Sequence, residues 1–340
     1  MRDTYKAVEV TAPDTFRVAE KPLLKPGVGQ VRIRVEACGV CHTDVVTVQG
    51  LLPGIIYPRV PGHEVIGKID AVGDGVAGWK IDQRVGVSYF SGPCFRCQPC
   101  RRGDFVNCEN QGVTGFSSDG GYAEVMIASE HALAAIPDEL ASAEAAPLLC
   151  AGVTTYNALR NSPARPGDLV AIQGVGGLGH LGIQFARGMG FRVAAIGRGK
   201  DKRPLAERLG ANHYIDSQTE DAAAALEALG GAKVILATAA SNKAMGPLVG
   251  GLTPRGRMVV VGIGFDGSIE VSPAQLIFGS RSIEGAKTGS AIDTEDTLSF
   301  SVLKNVRPMI ETVPLEKAAD AYARMMRGEA RFRMVLTTGQ

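Results

Sequence analysis

The hydrophobic pattern of this chain changes character near its middle. Up to about Ala135 the apolar residues fall in short β-type runs such as Val31-Arg32-Ile33-Arg34-Val35 and Val85-Gly86-Val87-Ser88-Tyr89. Alternation of this kind points every second side chain toward a core. Gly and Pro break the runs at close intervals, as at Lys25-Pro26-Gly27 and Gly73-Asp74-Gly75, which predicts a barrel-like all-β domain. From Asp168 the rhythm becomes apolar strand, Gly-rich turn, helix and apolar strand again, which predicts a parallel α/β sheet. Strands are expected over 168–173, 192–196, 233–237 and 257–262, and helices over 178–189, 202–209 and 221–229. Near the C-terminus a helix is expected over 315–327, followed by a β-type run over 332–336 placed to rejoin the first domain.

The length, 340 residues, exceeds one ordinary core and agrees with two domains. With 45% hydrophobic and 21% charged residues and a net charge of +1, the composition is that of a globular enzyme and lends no support to nucleic-acid binding. The N-terminal stretch from Met1 to Ala7 lacks the basic start and apolar core of an export signal, and no later apolar run is long enough to span a bilayer. A cytoplasmic protein without membrane contact is therefore expected. Its seven cysteines then point to metal ligation or catalysis before disulfides.

Four of these cysteines, Cys94, Cys97, Cys100 and Cys108, lie within fifteen residues. Soft thiolates on short loops suit a closed, structural tetrahedral zinc site. An iron–sulfur cluster, free buried thiols and an oxidised pair are the other readings of the same spacing. A second constellation is dispersed: Cys41, His63 in Pro61-Gly62-His63-Glu64, and Cys150. Two thiolates and one imidazole leave a fourth zinc position open, as a catalytic site requires. Taken singly, each of these three residues also reads as an ordinary buried side chain. Cys38-Gly39-Val40-Cys41-His42 spells a haem-attachment pattern too, but a c-type cytochrome needs export, and Cys38 is left as a buried bystander.

Gly174-Val175-Gly176-Gly177-Leu178-Gly179 follows the apolar run 169–172 and opens the helical pattern 178–189. In that context Gly174 makes the tight turn, Gly176 lets backbone approach a pyrophosphate, and Gly179 lets helix pack on strand. The helix N-terminus receives the phosphate charge. An NAD site would place a carboxylate at the end of the next strand to bind the ribose 2′-hydroxyl. Gly197 stands there, with Arg198 beside it and Lys200 and Lys202 close by. Loss of the anion and gain of a guanidinium favour a 2′-phosphate, hence NADP(H) over NAD(H). Asp201 on a ribose, or Arg198 stacked on adenine, would reverse that preference.

The order and spacing of Cys41-His42-Thr43-Asp44, Gly62-His63-Glu64 with Gly67, the four-cysteine lobe, Cys150 and the Gly174–Gly179 turn resemble the zinc-containing medium-chain alcohol dehydrogenases of the yeast and cinnamyl type. The resemblance spans nearly the whole chain. It implies an α/β fold made of a GroES-like β-barrel catalytic domain (1–151 and 287–340, with a structural zinc lobe at 92–110) and a Rossmann doubly wound parallel sheet (152–286). It implies Cys41, His63 and Cys150 as ligands of a catalytic zinc, and Cys94, Cys97, Cys100 and Cys108 as ligands of a structural one. Cysteine at 150 separates the chain from the polyol and threonine dehydrogenase branches, which carry Glu there. Asp44 is expected to orient His63, and Glu64 to approach the metal when ligands exchange, unless both simply pair with nearby Lys or Arg.

The implied reaction is hydride transfer between a primary or aromatic alcohol or aldehyde and the nicotinamide, with zinc as the Lewis acid. By resemblance Thr43 takes the alcohol proton, His42 touches the pyrophosphate, Thr154 the nicotinamide end and Arg333 the phosphate, with Gly177 and Leu178 completing the dinucleotide turn. Val46 occupies the position where many relatives carry a relay histidine, so the proton is expected to leave through Thr43, the ribose and water. Tyr89 and Phe90 are the candidates for the substrate-pocket wall, with Leu51 and Leu52 nearby, and Trp79 reads as a packing residue. Relatives of this length form tetramers or dimers, which implies a homo-oligomer. Metal-free reduction on the same scaffold, and a non-catalytic NADP- or zinc-binding protein, are the competing readings.

Overall fold

The computed structural model describes residues 3–264 and 266–339. Among these residues two compact units emerge: 3–153, 289–302 and 307–339 form the first, and 154–264, 266–288 and 303–306 the second.

In the first unit, β1 (Thr4–Ala12) and β2 (Thr15–Pro22) form an antiparallel ribbon. The strands β3 (Gln30–Val40), β4 (Val65–Val72), β5 (Arg84–Val87), β6 (Val125–Ser129) and β7 (Leu133–Ala135) pair antiparallel, with β6 laid on β3. The chain passes through β8 to β13 in the second unit and returns as β14 (Ile310–Pro314) and β15 (Arg333–Thr337). β15 pairs antiparallel with β3, so the sheet order runs β14-β15-β3-β4-β5-β7. The alternation read from the sequence explains β3 directly. Val31, Ile33 and Val35 are buried, while Arg32 is half-buried and Arg34 exposed, and the buried set joins Val8, Ile69 and Met334 in one core. Trp79 packs half-buried against that core.

The second unit holds β8 (Leu169–Gln173), β9 (Arg192–Gly197), β10 (His213–Asp216), β11 (Ala232–Ala237), β12 (Leu252–Val260) and β13 (Ser282–Gly285), all parallel, in the order β10-β9-β8-β11-β12-β13. Numbered within the unit this is 3-2-1-4-5-6, the Rossmann arrangement, with the order reversing between β8 and β11. Every residue of β8 is buried, as expected for a central parallel strand covered on both faces. Helices Gly179–Gly188, Arg203–Arg208 and Ala222–Ala228 occupy the predicted stretches. The helix expected from Lys202 begins one residue later, after a 3₁₀ turn over Lys200–Lys202, because Pro204 lacks an N–H and fits only a first helical turn. Asp221 caps the third helix by accepting from the N–H groups of Ala223 and Ala224 at 2.9 and 3.1 Å. The strand expected over 257–262 starts earlier, at Leu252, and ends at Val260.

Two strands and several helices escaped the pattern. β10 and β13 are four-residue edge strands, and Asn212-His213 and Ser282 give them no apolar run to read. Helix Ala291–Lys304 buries Thr294, Thr297, Leu298 and Ser301, an inward face that is mostly hydroxyl-bearing. Thr294, Thr297 and Ser301 each donate to the carbonyl four residues back, at 2.7–3.0 Å, which satisfies the buried hydroxyls without a partner element.

The tight turn after β8 constrains the second unit most. Gly174 has φ +96°, and a Cβ on Gly179 would lie 1.7 Å from the Gly174 carbonyl oxygen, so helix and strand touch backbone to backbone. Gly179→Ala is expected to cost about 2 kcal/mol or more by overpacking. A thermal melt should show it as a fall of roughly 5 °C or more. An unchanged melting temperature would mean that the turn has room the structure does not show.

Candidate functional site: a buried donor cluster and a dinucleotide pocket

Cys41 ends the run of β3, and His63 and Glu64 immediately precede β4, so the β3–β4 pairing brings the ends of both strands together. Cys150 follows the turn Ala146–Leu149 that leads into helix Ala151–Arg160. One donor atom from each of Cys41, His63, Glu64 and Cys150 lies within 4.8 Å of the others, and the two sulfurs are 3.7 Å apart.

The geometry of His63 shows what the cluster is arranged for. Its Nδ1 sits 3.0 Å from Asp44 Oδ1, and its Nε2 is buried without any hydrogen bond. With Nδ1 held on the carboxylate, Nε2 is the ring atom turned toward the sulfurs, the orientation a metal ligand needs once that nitrogen is unprotonated. Asp44 is itself fixed: its Oδ2 accepts from the Cys41 N–H at 2.9 Å and from the Tyr122 hydroxyl at 2.8 Å. Tyr122 is fully buried and was not singled out from the sequence, where a lone tyrosine in Gly120-Gly121-Tyr122 carries no signal of its role.

Burial and charge work against each other throughout the cluster. A hydrogen bond from the Cys150 thiol holds Cys41 well below the ordinary thiol range despite burial, and Cys150 is pushed correspondingly up. Burial opposes charge on His63, but the Asp44 carboxylate and the Cys41 sulfur outweigh it and hold its pKa well above the usual imidazole value. Glu64 is pushed up to about 7 by burial, with Arg333 pulling the other way. Its Oε1 accepts from Arg333, the first residue of β15, while Oε2 has no partner. A Cβ on Gly39 would lie 1.8 Å from that Oε2, so β3 leaves the space in which the carboxylate stands. Two cysteine sulfurs and an imidazole nitrogen, which a bound cation would deprotonate, match zinc, and the residues present fit that ion.

Thr43 lies close by, with its hydroxyl 3.7 Å from Cys41 Sγ, whereas His42 is exposed on the same turn. The Tyr89 ring meets His63 edge-on at 5.3 Å, and Phe90 meets Tyr89 at 5.1 Å. Phe90 also lines a cavity of about 210 Å³ together with Phe95, Phe105 and His131. Leu51 and Leu52 are about half exposed. Cys38 is buried in the core of the first unit, apart from the donor cluster. Thr154 is buried on helix Ala151–Arg160. Arg333, expected at the cofactor phosphate, is buried here against Glu64.

The sulfurs of Cys94, Cys97, Cys100 and Cys108 form a second group within 4.8 Å. The Arg96 backbone N–H, the Asn110 side chain and the Cys97 N–H hold Cys94 down to about 5, while burial and its neighbouring thiols push Cys100 up to about 12. Four sulfurs this close cannot all ionise without a cation among them, and tetrathiolate zinc fits the set. Phe95 and Phe105 pack at 5.6 Å beside it.

In the second unit a cavity of about 770 Å³ opens at the carboxyl ends of β8, β9 and β11. Gly174, Gly176, Leu178, Gly197, Arg198 and Lys202 line it, and a Cβ on Gly176 would meet nothing within 4 Å. Gly177 and Gly179 do not line it, and Gly179 lies buried under the turn. Glu220 and Asp221 reach the same cavity, but both are engaged, Glu220 by the Asp216 N–H at 3.1 Å and Asp221 as the helix cap.

Among the described residues no helix is long and apolar enough to cross a membrane. Residues 27–138 match the alcohol dehydrogenase GroES-like domain, and residues 177–302 match the zinc-binding dehydrogenase domain. The chain is 42% identical over 339 residues to alcohol dehydrogenase patD of Penicillium expansum, covering 96% of this chain and 99% of that protein. Among solved structures it resembles a cinnamyl alcohol dehydrogenase from Sorghum bicolor, with TM-score 0.88 and 31% identity over 98% of this chain and 97% of that one. It also resembles CAD from Helicobacter pylori complexed with NADP(H), with TM-score 0.87 and 26% identity over 100% of this chain and 99% of that one. A GroES-like unit, a 3-2-1-4-5-6 parallel sheet and these relatives together place the chain in the family of zinc-containing, NAD(P)-linked medium-chain alcohol dehydrogenases.

Proposed function

We propose that this alcohol dehydrogenase moves a hydride between a primary or aromatic alcohol, or its aldehyde, and NADP(H), with one zinc at Cys41, His63 and Cys150 and a second at Cys94, Cys97, Cys100 and Cys108. The observation that carries the reading is the buried, unpartnered Nε2 of His63 set among two thiols 3.7 Å apart. Zinc bound there supplies a Lewis acid that makes an alkoxide accessible near neutral pH and polarises the carbonyl in reverse.

The chain's own residues do the rest. Asp44, held by Tyr122 and the Cys41 N–H, fixes the His63 tautomer and the direction of Nε2. The Thr43 hydroxyl, 3.7 Å from Cys41 Sγ, accepts the proton of the bound alcohol and passes it on toward the ribose and water, because Val46 supplies no imidazole. Tyr89, edge-on to His63, forms the apolar wall that keeps water from the reacting carbon. Glu64, beside the cysteine sulfurs, would be the carboxylate nearest a bound zinc, and Arg333 balances its charge. By family resemblance alone, His42 is assigned to the pyrophosphate and Thr154 to the nicotinamide end.

The preference for NADP(H) rests on the cavity beside Gly197. The end of β9 offers no carboxylate, Arg198 and Lys202 line the cavity, and the two acids that reach it already hold backbone N–H groups. A guanidinium there can grip a 2′-phosphate by paired charge-assisted hydrogen bonds.

Elemental analysis of the purified protein should give two zinc ions per chain. Cys150→Ala should remove one of them together with turnover, and Cys97→Ala the other. A single zinc in the parent protein, or full turnover by Cys150→Ala, would contradict the assignment. Thr43→Val should keep both zinc ions yet slow turnover by about 10²–10⁴-fold, while Thr43→Ser retains most of the rate. For the dinucleotide, calorimetric titration should find NADP⁺ bound more tightly than NAD⁺. Arg198→Ala should weaken NADP⁺ by roughly tenfold or more with little change for NAD⁺.

A further inference from the structure

Gly197, at the end of β9, has an ordinary strand backbone, so its conformation does not call for glycine. The space around it does. A Cβ at this position would stand 2.3 Å from Tyr214 Oη, 2.9 Å from Cζ and 3.0 Å from Cε2, all well inside van der Waals contact. Tyr214 lies on the neighbouring strand β10, where the register pairs Asp216 with Gly197. The ring has little freedom to give way. It is 5% exposed, its hydroxyl donates to the Gly199 carbonyl at 2.6 Å, and the Arg203 guanidinium lies 5.2 Å over its face. Gly199 is held again through its N–H, which donates to Asp216 Oδ1 at 2.8 Å, and the Ser217 hydroxyl donates to the Gly197 carbonyl at 3.0 Å. The short loop that carries Arg198 is therefore braced on both sides by β10 and the turn after it.

We propose that Tyr214 is a specificity-determining residue of the dinucleotide site: it fills the space over residue 197, bars a ribose-binding carboxylate from the end of β9, and fixes through Gly199 the loop that presents Arg198. This rests on the reading of the cavity as an NADP(H) site. Tyr214 does not line the cavity and acts only through residue 197 and the loop. Selectivity between the 2′-hydroxyl and the 2′-phosphate is then a property of two residues on adjacent strands, and position 197 cannot be converted alone.

The test compares dissociation constants for NADP⁺ and NAD⁺, by calorimetry, in the parent protein, Gly197→Asp, Tyr214→Val and the double variant. Gly197→Asp alone should lose NADP⁺ affinity and gain none for NAD⁺. The double variant should bind NAD⁺ at least about tenfold more tightly than either single variant, a coupling of the size expected for residues in direct contact. If Gly197→Asp alone gains NAD⁺ affinity as fully as the double variant, or if a folded double variant gains none, the proposal is overturned. A second cycle needs no dinucleotide: Gly197→Ala should lower the melting temperature in the parent, and clearly less in the Tyr214→Val background. Equal falls in the two backgrounds would refute the steric claim. A parent protein that binds NAD⁺ better than NADP⁺ would sink the NADP(H) reading by itself, and the melting cycle would still decide whether Tyr214 governs residue 197.

Discussion

The buried ion pair between Glu64 and Arg333 ties together residues 269 positions apart and sets the conditions for everything around it. Both side chains are almost wholly removed from water, in a cluster that also holds two cysteine sulfurs and an imidazole. Charges in such a place survive only when paired, and removing one partner leaves the other uncompensated. The pair explains why β15 must return from the far end of the chain to β3: the strand delivers the guanidinium that makes Glu64 tolerable beside two sulfurs. Burial lifts Glu64 to about 7 while Arg333 pulls the other way, so the guanidinium is what favours the charged carboxylate in this buried place.

The same logic orders the shell behind His63. A free imidazole rotates between tautomers, and a metal ligand must not. Asp44 removes that freedom, Tyr122 and the Cys41 N–H remove the freedom of Asp44, and Tyr122 is wedged where a Cβ on Gly62 would come within 2.4 Å of its ring. Orientation of one nitrogen thus depends on a chain of contacts reaching into the core of the first unit.

How much of this could be read beforehand follows from the range of each interaction. The four-cysteine lobe and the Gly174 turn are local: their donors or glycines lie within a few residues of one another, so spacing alone expresses the geometry. Cys41, His63 and Cys150 are separated by long stretches, and their meeting is a consequence of strand pairing that spacing does not encode. Tyr122 is harder still, since its role exists only through Asp44. In the fold, β8 was legible because a buried parallel strand is a continuous apolar run. Helix Ala291–Lys304 was not, because it buries hydroxyls satisfied within its own turns instead of an apolar stripe. The edge strands β10 and β13 were too short and too polar to give a signal.

Position 197 joins these two kinds of legibility. The missing carboxylate at the end of β9 is visible in the sequence, and it has an electrostatic reading: without the anion, a 2′-phosphate can approach Arg198. The structure adds a steric one, because Tyr214 fills the volume a side chain would need. The two readings are not interchangeable. Electrostatics alone would let a single aspartate reverse the preference, whereas the filled space makes glycine obligatory for as long as the tyrosine stays pinned between Gly199 and Arg203. A residue outside the cavity then constrains which dinucleotide the site can hold, in the same way that Tyr122, joined to His63 through Asp44, constrains how His63 can present its nitrogen.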